Sequence, residues 1–382
     1  MVCGDARSSL IESQHPASVK EGHHPKDKSV SAVIRVSCLL AVWNGEAYVA
    51  DAIRSVLDQT FGDFELITID DGSTDGTATI LRRFQREDAR VRVFTQPHTG
   101  LISALNRGVS LATGEYIARM DADDLCMPQR FSSQVQYMDR HRAIGICGTW
   151  VETFGSGRAE VVRYPCDDAT IRSRLLFDSS LAHPSVIMRR QTLESHGLSY
   201  DTLALHAEDY DLWVRAAPHT RFANIPEALL RYRIHPEQVG QRHGGKQEAS
   251  TRRIRLTQLH GMGIKPSEYE TDLHQSLCQW EFSSAPEYLR TTRAWLCQLM
   301  AVNSKARNYP MKEFRMVLSR RWADVCVAAT TGGIRTLMEF WRAPRLARSG
   351  LSPMSHLKFV VKCLVRQDPS KPFMIINNAM PR

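Results

Sequence analysis

The sequence predicts an α/β fold in which a doubly wound, mostly parallel sheet is flanked by helices and followed by a helical C-terminal region. Between residues 33 and 119, short apolar runs alternate with helical patterns, and the connections between them are short. After about residue 245 the apolar residues recur mainly at helical spacing, so few strands are expected there. A content of 43% hydrophobic and 24% charged residues is that of an ordinary globular protein.

Four strands and three helices are predicted in the first part of the chain. The strands are expected at the apolar runs 35–42, 64–69, 91–94 and 115–120. The helices are expected over about 49–57, 77–86 and 101–111. In a doubly wound sheet, ligands bind beyond the carboxyl ends of the strands. The residues that follow each strand are therefore the first candidates for a functional site.

The second half of the chain is less regular. Strands are predicted over 144–151, 161–164 and 228–233, and helices over about 169–177 and from about Glu208 onwards. A boundary is expected near 240–246, which divides a main domain (31–240) from a helical region (241–331). Residues 1–30 contain no apolar stretch of the kind that a signal peptide needs, and a disordered tail is expected there.

The positive charge is concentrated at the C-terminal end. The chain has a formal net charge of +8, yet Lys312–Arg382 holds 13 Lys or Arg and 4 Asp or Glu, so the rest is close to neutral. Residues 332–382 are interpreted as a basic amphipathic tail, which suits an anionic membrane surface and equally a solvated face over helices. Nucleic acid is not an expected partner, because no zinc-finger spacing or aromatic ribonucleoprotein-type motif is present.

The expected location is the cytoplasm, with peripheral contact at the inner face of the membrane as an extension. No apolar window of about 18 residues exists that would cross a bilayer. The nine cysteines include no CxxC pair, so reduced thiols are expected rather than a disulfide framework or a zinc site of that spacing.

Acidic residues follow two of the predicted strands. Asp70 and Asp71 begin a segment rich in Gly, Ser and Asp, and Asp121-Ala122-Asp123-Asp124 follows the fourth strand. Neighbouring carboxylates cost free energy unless a cation, a donor group or water compensates them. Residues i and i+2 of an extended stretch share a side, so Asp121 and Asp123 are expected to converge on one ion, with Asp124 facing away to support a helix that opens at 125–128. Mg²⁺ commonly takes one or two carboxylates together with substrate phosphates.

Each acidic segment also has a structural interpretation. The segment 70–76 fits a turn and helix cap, although Asp71 equally suits a hydrogen bond from a nucleoside imide. The segment 121–124 fits a solvated acidic loop. Glu208 and Asp209 lie where acidic residues favour the positive end of a helix dipole, and a carboxylate held there can also act as a general base.

Taken together, these segments resemble the family 2 glycosyltransferases, inverting enzymes with the GT-A fold. The resemblance covers roughly residues 33–240 and is specific for the family but not for the sugar. It lies in the order and spacing of the blocks 36–46, 55–61, 70–75, 100–108, 113–124, 208–213 and 232–236. It implies that 31–125 forms the nucleotide-sugar half and 126–240 the acceptor half of one domain.

The resemblance also implies roles for individual residues. Nucleotide-sugar binding is expected from the residues Val42, Trp43, Asn44, Asp71, Arg107 and Asp121. Within this set Trp43 stands where the family often has Tyr to stack on the base, and an aromatic ring is kept. A Mg²⁺ or Mn²⁺ ion is expected at Asp121, Asp123 and His235, and the catalytic carboxylates are expected to be Asp209 and Glu208. His183 and Trp213 are placed at the acceptor site, with a structural histidine as the alternative for His183.

The expected reaction is a metal-assisted single displacement. A sugar would move from a nucleotide-diphosphate sugar, with a UDP-sugar as the expected donor, to a hydroxyl of a saccharide or lipid-linked acceptor in envelope or exopolysaccharide synthesis. A sugar-phosphate nucleotidyltransferase and a non-catalytic nucleotide-sugar-binding homologue remain as alternatives. A nucleotidyltransferase should carry a Gly-rich phosphate loop after the first strand, and 41–45 is not one. A dinucleotide-dependent oxidoreductase is disfavoured, because no GxGxxG follows that strand.

Overall fold

A nine-stranded mixed sheet lies at the centre of the residues that the computed structural model describes, 34–235 and 244–366. Its strands are β1 (Val36–Val42), β2 (Phe64–Asp70), β3 (Val91–Thr95), β4 (Tyr116–Asp121), β5 (Leu125–Cys126), β6 (Ile144–Gly155), β7 (Val161–Val162), β8 (Ile187–Arg189) and β9 (Arg221–Ile234). The predicted tail 1–30, most of the boundary at 240–246 and the end of the segment 332–382 lie outside these described residues.

The sheet has a parallel half and a mixed half. The strand order is β3-β2-β1-β4-β8-β6-β9-β5, with β7 paired to β6. The first four strands in this order pair in parallel, and β6 also pairs in parallel with β9. The pairs β4–β8, β6–β8, β6–β7 and β5–β9 are antiparallel. The predicted α/β fold class is confirmed, and the strand expected at 228–233 is part of the longer β9.

Seven helices flank the sheet up to residue 216 in the described part of the chain. They are α1 (Val49–Leu57), α2 (Thr77–Glu87), α3 (Leu101–Leu111), α4 (Arg130–Arg140), α5 (Asp168–Arg174), α6 (Arg190–Ser195) and α7 (Glu208–Ala216). The helix expected to open at 125–128 was wrongly placed. Residues 125–126 form β5 against β9 instead, and α4 begins only at Arg130.

The two faces of the sheet have separate cores because strand side chains alternate. Cys38 and Leu40 of β1 pack with α1, α2 and α4, whereas Leu39 packs with α3, α5, α6 and α7 on the opposite face. Burial on both faces explains why β1 and β2 are mainly apolar and do not alternate regularly between apolar and polar residues.

The region after residue 244 is helical, as predicted, and has its own core. Its helices are α8 (Gly244–Gly261), α9 (Glu268–Gln279), α10 (Pro286–Ala306), α11 (Met311–Ala328), α12 (Ile334–Trp341), α13 (Pro344–Gly350) and α14 (Pro353–Leu364). Trp295, Phe314 and Trp322 are fully or almost fully buried in this core, which also takes in Leu176 and Phe177 from the main domain. Among the described helices, those with enough length to cross a bilayer are too polar to do so.

Buried polar contacts attach this region to the carbonyl groups that follow α5. Arg255 of α8 donates from Nε to the Phe177 carbonyl at 3.1 Å. His274 of α9 contacts the Leu176 carbonyl through Nε2 at 3.1 Å, while its Nδ1 accepts from the Trp295 indole at 3.2 Å. Both contacts are buried away from water, so the loss of one partner would leave the other polar atom without a hydrogen bond.

His274 is expected to make stability depend on pH. Burial is the main cause that lowers the pKa of His274, to about 3, so the folded protein keeps it neutral while the unfolded chain protonates it near its ordinary pKa. The stabilisation is therefore complete above about pH 6.5 and is lost as the pH falls from there towards 3. Urea unfolding measures the free energy of unfolding of wild-type protein and His274→Gln between about pH 6.5 and 3. Over this range the variant should lose about 2–4 kcal/mol less stability than wild type does. Parallel pH profiles for the two proteins would contradict the assignment.

Candidate active site

The carboxyl ends of three strands meet at one edge of the sheet. Val42 at the end of β1 pairs with Asp70 of β2, and Ala41 pairs with Asp121 of β4 on the other side. Strands β2 and β3 follow one another on one side of β1, whereas β4 pairs with β1 on the opposite side. This is a topological switch point, where the loops leave the sheet in different directions and open a crevice for ligands.

The loop after β1 is hydrogen-bonded to the loop after β2. Asn44, which has a left-handed φ of 50°, donates its amide to the Ser73 hydroxyl at 2.9 Å and accepts from the Thr74 amide at 2.8 Å. Asparagine tolerates this backbone region better than most residues. The adjacent Gly72 has a φ of 74°, and a Cβ there would lie 2.7 Å from the His98 backbone nitrogen. Val42 itself is buried in the core, so it contributes to this edge through its backbone, as in the 2.9 Å bond from the Asp71 amide to its carbonyl.

Asp71 is held by the segment that follows β3. One carboxylate oxygen accepts from the Gln96 amide at 2.7 Å and the Thr99 backbone at 3.0 Å, and the other accepts from the Gly100 backbone at 2.8 Å. His98 lies 2.8 Å from the same carboxylate. Burial pushes the pKa of Asp71 upwards, but these donors outweigh it and hold the pKa below its ordinary value. Asp71 is therefore an ionised acceptor.

An aromatic side chain reaches this acceptor through His98. Trp43 is 53% exposed and stacks on His98, with ring centroids 4.4 Å apart and an angle of 22° between the planes. Arg107 does not contact Asp71 directly. It donates to the Thr95 carbonyl at 2.7 Å and to the Gln96 side chain at 3.3 Å. The structure thus brings Trp43, Asn44 and Asp71 together, and connects Arg107 to Asp71 only through Gln96.

Three carboxylates converge after β4. Ligand oxygens of Asp121, Asp123 and Asp124 all lie within 4.8 Å of one another. The expectation that Asp124 faces away is therefore wrong. A turn follows β4, and Asp124 is fully buried, where one of its oxygens accepts from the Arg233 amide of β9 at 2.8 Å.

This donor set fits a hard divalent cation. The second oxygen of Asp124 is buried and has no hydrogen-bond partner among the described residues. Burial, reinforced by repulsion from Asp121 and Asp123, raises the pKa of Asp124 well above its ordinary value. Burial also raises the pKa of Asp121, although Arg119 opposes this. A cation bound by oxygen ligands would relieve both the repulsion and the unsatisfied oxygen.

His235 joins the acidic cluster through Asp123. Its Nε2 lies 2.9 Å from the Asp123 carboxylate, and its ring packs against Tyr48 with centroids 5.3 Å apart. Arg233, two residues earlier, donates from Nε to the Asp123 carbonyl at 2.7 Å. The end of β9 therefore fixes both the backbone and the carboxylate of Asp123.

The second acidic pair begins α7. Glu208 is buried, whereas Asp209 is half-buried and lies 3.4 Å from the Ser179 hydroxyl. Burial is the main cause that raises the pKa of Glu208 to about 7, and the neighbouring Asp209 adds to it. Burial also raises the pKa of Asp209. Adjacent carboxyl groups with raised pKa values are candidates for proton transfer.

Arg119 is one of the residues at the candidate site that the sequence analysis missed. It is a buried cation on β4 that pairs with Asp121, and its charge also acts on Glu208 and Asp209. Burial opposes the charge on Arg119, but Asp121 outweighs it and raises the pKa further. A single charged residue inside the apolar run 116–120 was the available signal, because buried arginines almost always have an anionic partner.

The two residues expected at the acceptor site are both internal. His183 is buried and its Nε2 lies 2.9 Å from the Tyr200 hydroxyl, while burial and Arg119 lower its pKa well below the ordinary value. These contacts favour the structural alternative for His183. Trp213 has no exposed surface and packs against His183, with ring centroids 6.1 Å apart. The ring of Trp213 is part of the core beneath α7, and its contact with an acceptor stays a prediction.

Glu208 provides a measurable consequence of this electrostatic arrangement. The folded state resists its ionisation, so the chain should lose stability as the pH rises from about 4.5 to about 7. Glu208→Gln should therefore be more stable than wild type by about 1–3 kcal/mol at pH 8, and similar to it at pH 4. Urea unfolding in EDTA at the two pH values measures this difference. A variant that is less stable than wild type at pH 8 would contradict it.

Comparison with known proteins agrees with this geometry. Residues 37–197 match the model of "Glycosyl transferase family 2". The O-antigen biosynthesis glycosyltransferase WbnJ of Escherichia coli is 33% identical over 207 residues, 52% of this chain and 80% of WbnJ. The amylovoran biosynthesis glycosyltransferase AmsE of Erwinia amylovora is 30% identical over 229 residues, 58% of this chain and 85% of AmsE.

The fold also resembles that of a solved structure. S. aureus TarS 1–349, crystallised in complex with UDP-GlcNAc, has a TM-score of 0.53 at 17% identity, over 74% of this chain and 90% of TarS 1–349. At this identity the likeness concerns the fold alone. The match to the family model, together with 33% identity over 80% of WbnJ, shows that the chain belongs to glycosyl transferase family 2.

Proposed function

We propose that this protein transfers a sugar from a nucleotide-diphosphate sugar, in the first instance a UDP-sugar, to a hydroxyl group of a saccharide or lipid-linked acceptor, with inversion at the anomeric carbon. The observation that carries the proposal is the convergence of two carboxylate groups, at 121–124 and 208–209, around the buried Arg119. WbnJ and AmsE, both named for polysaccharide biosynthesis, support a role in envelope or exopolysaccharide synthesis.

The donor is proposed to bind at the edge formed by the loops after β1 and β2. The exposed ring of Trp43 offers a stacking surface for a nucleobase, and the ionised Asp71, which Trp43 adjoins through His98, offers an acceptor for an imide N–H. Asn44 fixes the loop between them, and Arg107 supports Asp71 through Gln96. The complex of TarS with UDP-GlcNAc supports a uridine nucleotide as the first donor to test.

The diphosphate is proposed to lie against the acidic cluster. Asp121, Asp123 and Asp124 would hold Mg²⁺ or Mn²⁺, with His235 orienting Asp123 or serving as a further ligand. A bound divalent cation supplies Lewis acidity that neutralises the charge developing on the leaving diphosphate. Arg119 opposes the rise in the pKa of Asp121 and so favours the ionised form that would bind the cation.

Asp209 is proposed as the general base. It is the more accessible carboxylate of the pair and lies in the first turn of α7, whereas Glu208 is buried. An acceptor hydroxyl must lose its proton as the new bond forms, and Asp209 would take that proton on the face of the sugar opposite the leaving group. One displacement of this kind inverts the anomeric configuration and needs no covalent intermediate. The exchange of a proton with Glu208 would then restore the base.

Asp209→Asn should abolish transfer while donor binding is retained. The amide keeps the shape and the contact with Ser179 but cannot accept a proton, so kcat should fall by at least about 100-fold. Product formation from UDP-sugars and the Kd of UDP with Mn²⁺ are the two measurements. Asp211→Asn is the matched control, because Asp211 lies on the same helix and pairs with Arg215 at 2.7 Å. Normal transfer by the Asp209 variant, or an α-linked product from an α-linked donor, would refute the mechanism.

Asp124→Asn should have effects of opposite sign with and without metal. Without metal it removes one buried repelling charge, so the protein should gain about 1 kcal/mol of stability. In Mn²⁺ the same variant should lose affinity for the ion by about 10-fold or more. Thermal unfolding in EDTA and calorimetric titration with Mn²⁺ measure the two effects, with Asp88→Asn as a control carboxylate at the end of α2. Unchanged Mn²⁺ affinity would exclude Asp124 from the site.

A further inference from the structure

Two C-terminal helices carry apolar side chains on their solvent-facing sides. On α12 these side chains recur at i, i+4 and i+7 and are about half exposed, as Ile334, Met338 and Trp341. On α14 they recur at i, i+3, i+7 and i+10 and are 47–64% exposed, as Met354, Leu357, Val361 and Leu364. These seven residues are called the C-terminal patch below. Exposed apolar side chains at helical spacing mark an interaction face.

The two helices form one surface. Phe340 of α12 and Phe359 of α14 pack on the inner side with ring centroids 4.9 Å apart, and both are buried. Trp341 stacks on His356 with centroids 5.8 Å apart and an angle of 26° between the planes. The core of the helical region is therefore complete without the C-terminal patch. The exposure of these seven apolar side chains needs a separate explanation.

The segment that carries the C-terminal patch is rich in basic residues. Residues 332–366 contain seven Lys or Arg and a single acidic residue, Glu339. Glu339 is already paired with Arg293 at 3.1 Å and with Arg342. On α12, Arg335 is exposed next to Ile334, and on α14 Lys358 follows Leu357. Positive charge therefore adjoins both apolar rows.

A cavity connects the C-terminal patch to two of these cations. It has a volume of about 380 Å³, and its lining includes Arg335, Arg366, Thr331 and Ile334. The lining also includes Glu339, whose carboxylate is already paired outside the cavity lining with Arg293 and Arg342. Ile334 belongs to the C-terminal patch as well, so the cavity and the apolar surface are continuous. Guanidinium groups and a hydroxyl are the donors that bind a phosphodiester.

We propose that the C-terminal patch docks the protein on an anionic phospholipid surface, with the apolar side chains at the acyl boundary and a lipid phosphate in the cavity beside Arg335 and Arg366. Proteins that bind at a membrane interface typically use an amphipathic surface of this kind. It combines a tryptophan, aliphatic side chains and flanking cations, and its side chains are about half buried. The positive charge adds attraction to anionic headgroups.

The charge distribution disfavours a second copy of this chain as the occupant. An isologous contact places the same surface on both partners, so the cations of one patch would face those of the other. The single acidic residue nearby is already neutralised internally and offers no compensation. An anionic lipid surface supplies the opposite charge and the apolar layer together.

Vesicle sedimentation of the full chain, without donor or acceptor, tests the docking surface. Wild-type protein should sediment with vesicles of phosphatidylcholine and phosphatidylglycerol, and much less with phosphatidylcholine alone. Leu357→Gln with Val361→Gln tests the apolar part, and Arg335→Gln with Arg366→Gln tests the cavity. Each cation removed should lower partitioning about fivefold, so the second pair should lose about 25-fold. Met316→Gln with Arg82→Gln, which alters exposed residues elsewhere, should bind as wild type does.

The outcomes separate this surface from its alternatives. Wild-type protein that stays in the supernatant with both kinds of vesicle, or patch variants that bind as wild type does, would overturn the proposal. A dimer in analytical ultracentrifugation that the Leu357 and Val361 substitutions dissociate, without any vesicle binding, would assign the surface to a second copy instead. Because no sugar transfer is measured, either result leaves the proposed glycosyl transfer untouched, and failure of transfer does not affect the vesicle result.

Discussion

The site depends on one buried cation, Arg119, placed between two groups of carboxylates that come from distant parts of the chain. It pairs with Asp121 at the end of its own strand, and its charge also reaches Glu208 and Asp209 at the start of α7. Removing one partner from a buried ion pair leaves the other charge uncompensated, at a cost of about 3–5 kcal/mol. Arg119 therefore connects the donor side of the crevice to the proposed base.

One cation does not balance this many carboxylates. Asp121 and Asp124 both have raised pKa values, because burial and mutual repulsion exceed what Arg119 and the Arg233 amide provide. The excess of negative charge that remains favours the binding of a divalent ion, because the ion would neutralise the carboxylates. A negatively charged diphosphate donor would in turn offset the charge of the ion, so the two are expected to bind together. Asp209 lies close enough to raise the pKa of Asp121, so binding at one group also alters the protonation of the other.

Sequence reasoning identified the strands that end at the site because β1, β2 and β4 are buried on both faces and appear as apolar runs followed by acids. It missed the direction of Asp124, because a turn follows β4 where an extended strand was assumed. It also missed His98, whose contacts with Trp43 and Asp71 arise only when β1 and β3 take their places beside β2. The sequence also does not reveal that Trp213, an aromatic residue one turn after the acidic pair, faces the core.

The helical region contacts the segments that hold the proposed base, although it lies beyond the family resemblance. Gln247 of α8 donates to the His206 carbonyl at 3.0 Å, directly before α7, and Gln258 donates to the Leu175 carbonyl at 2.8 Å and contacts the Tyr210 hydroxyl at 3.1 Å. These bonds hold both the start of α7 and the segment that leads to Ser179, so the position of Asp209 depends on α8 as much as on the sheet. The same helical region carries the C-terminal patch. A surface that orients the protein on lipid would therefore be built on the elements that position the base, which suits an enzyme whose acceptor is presented at a membrane.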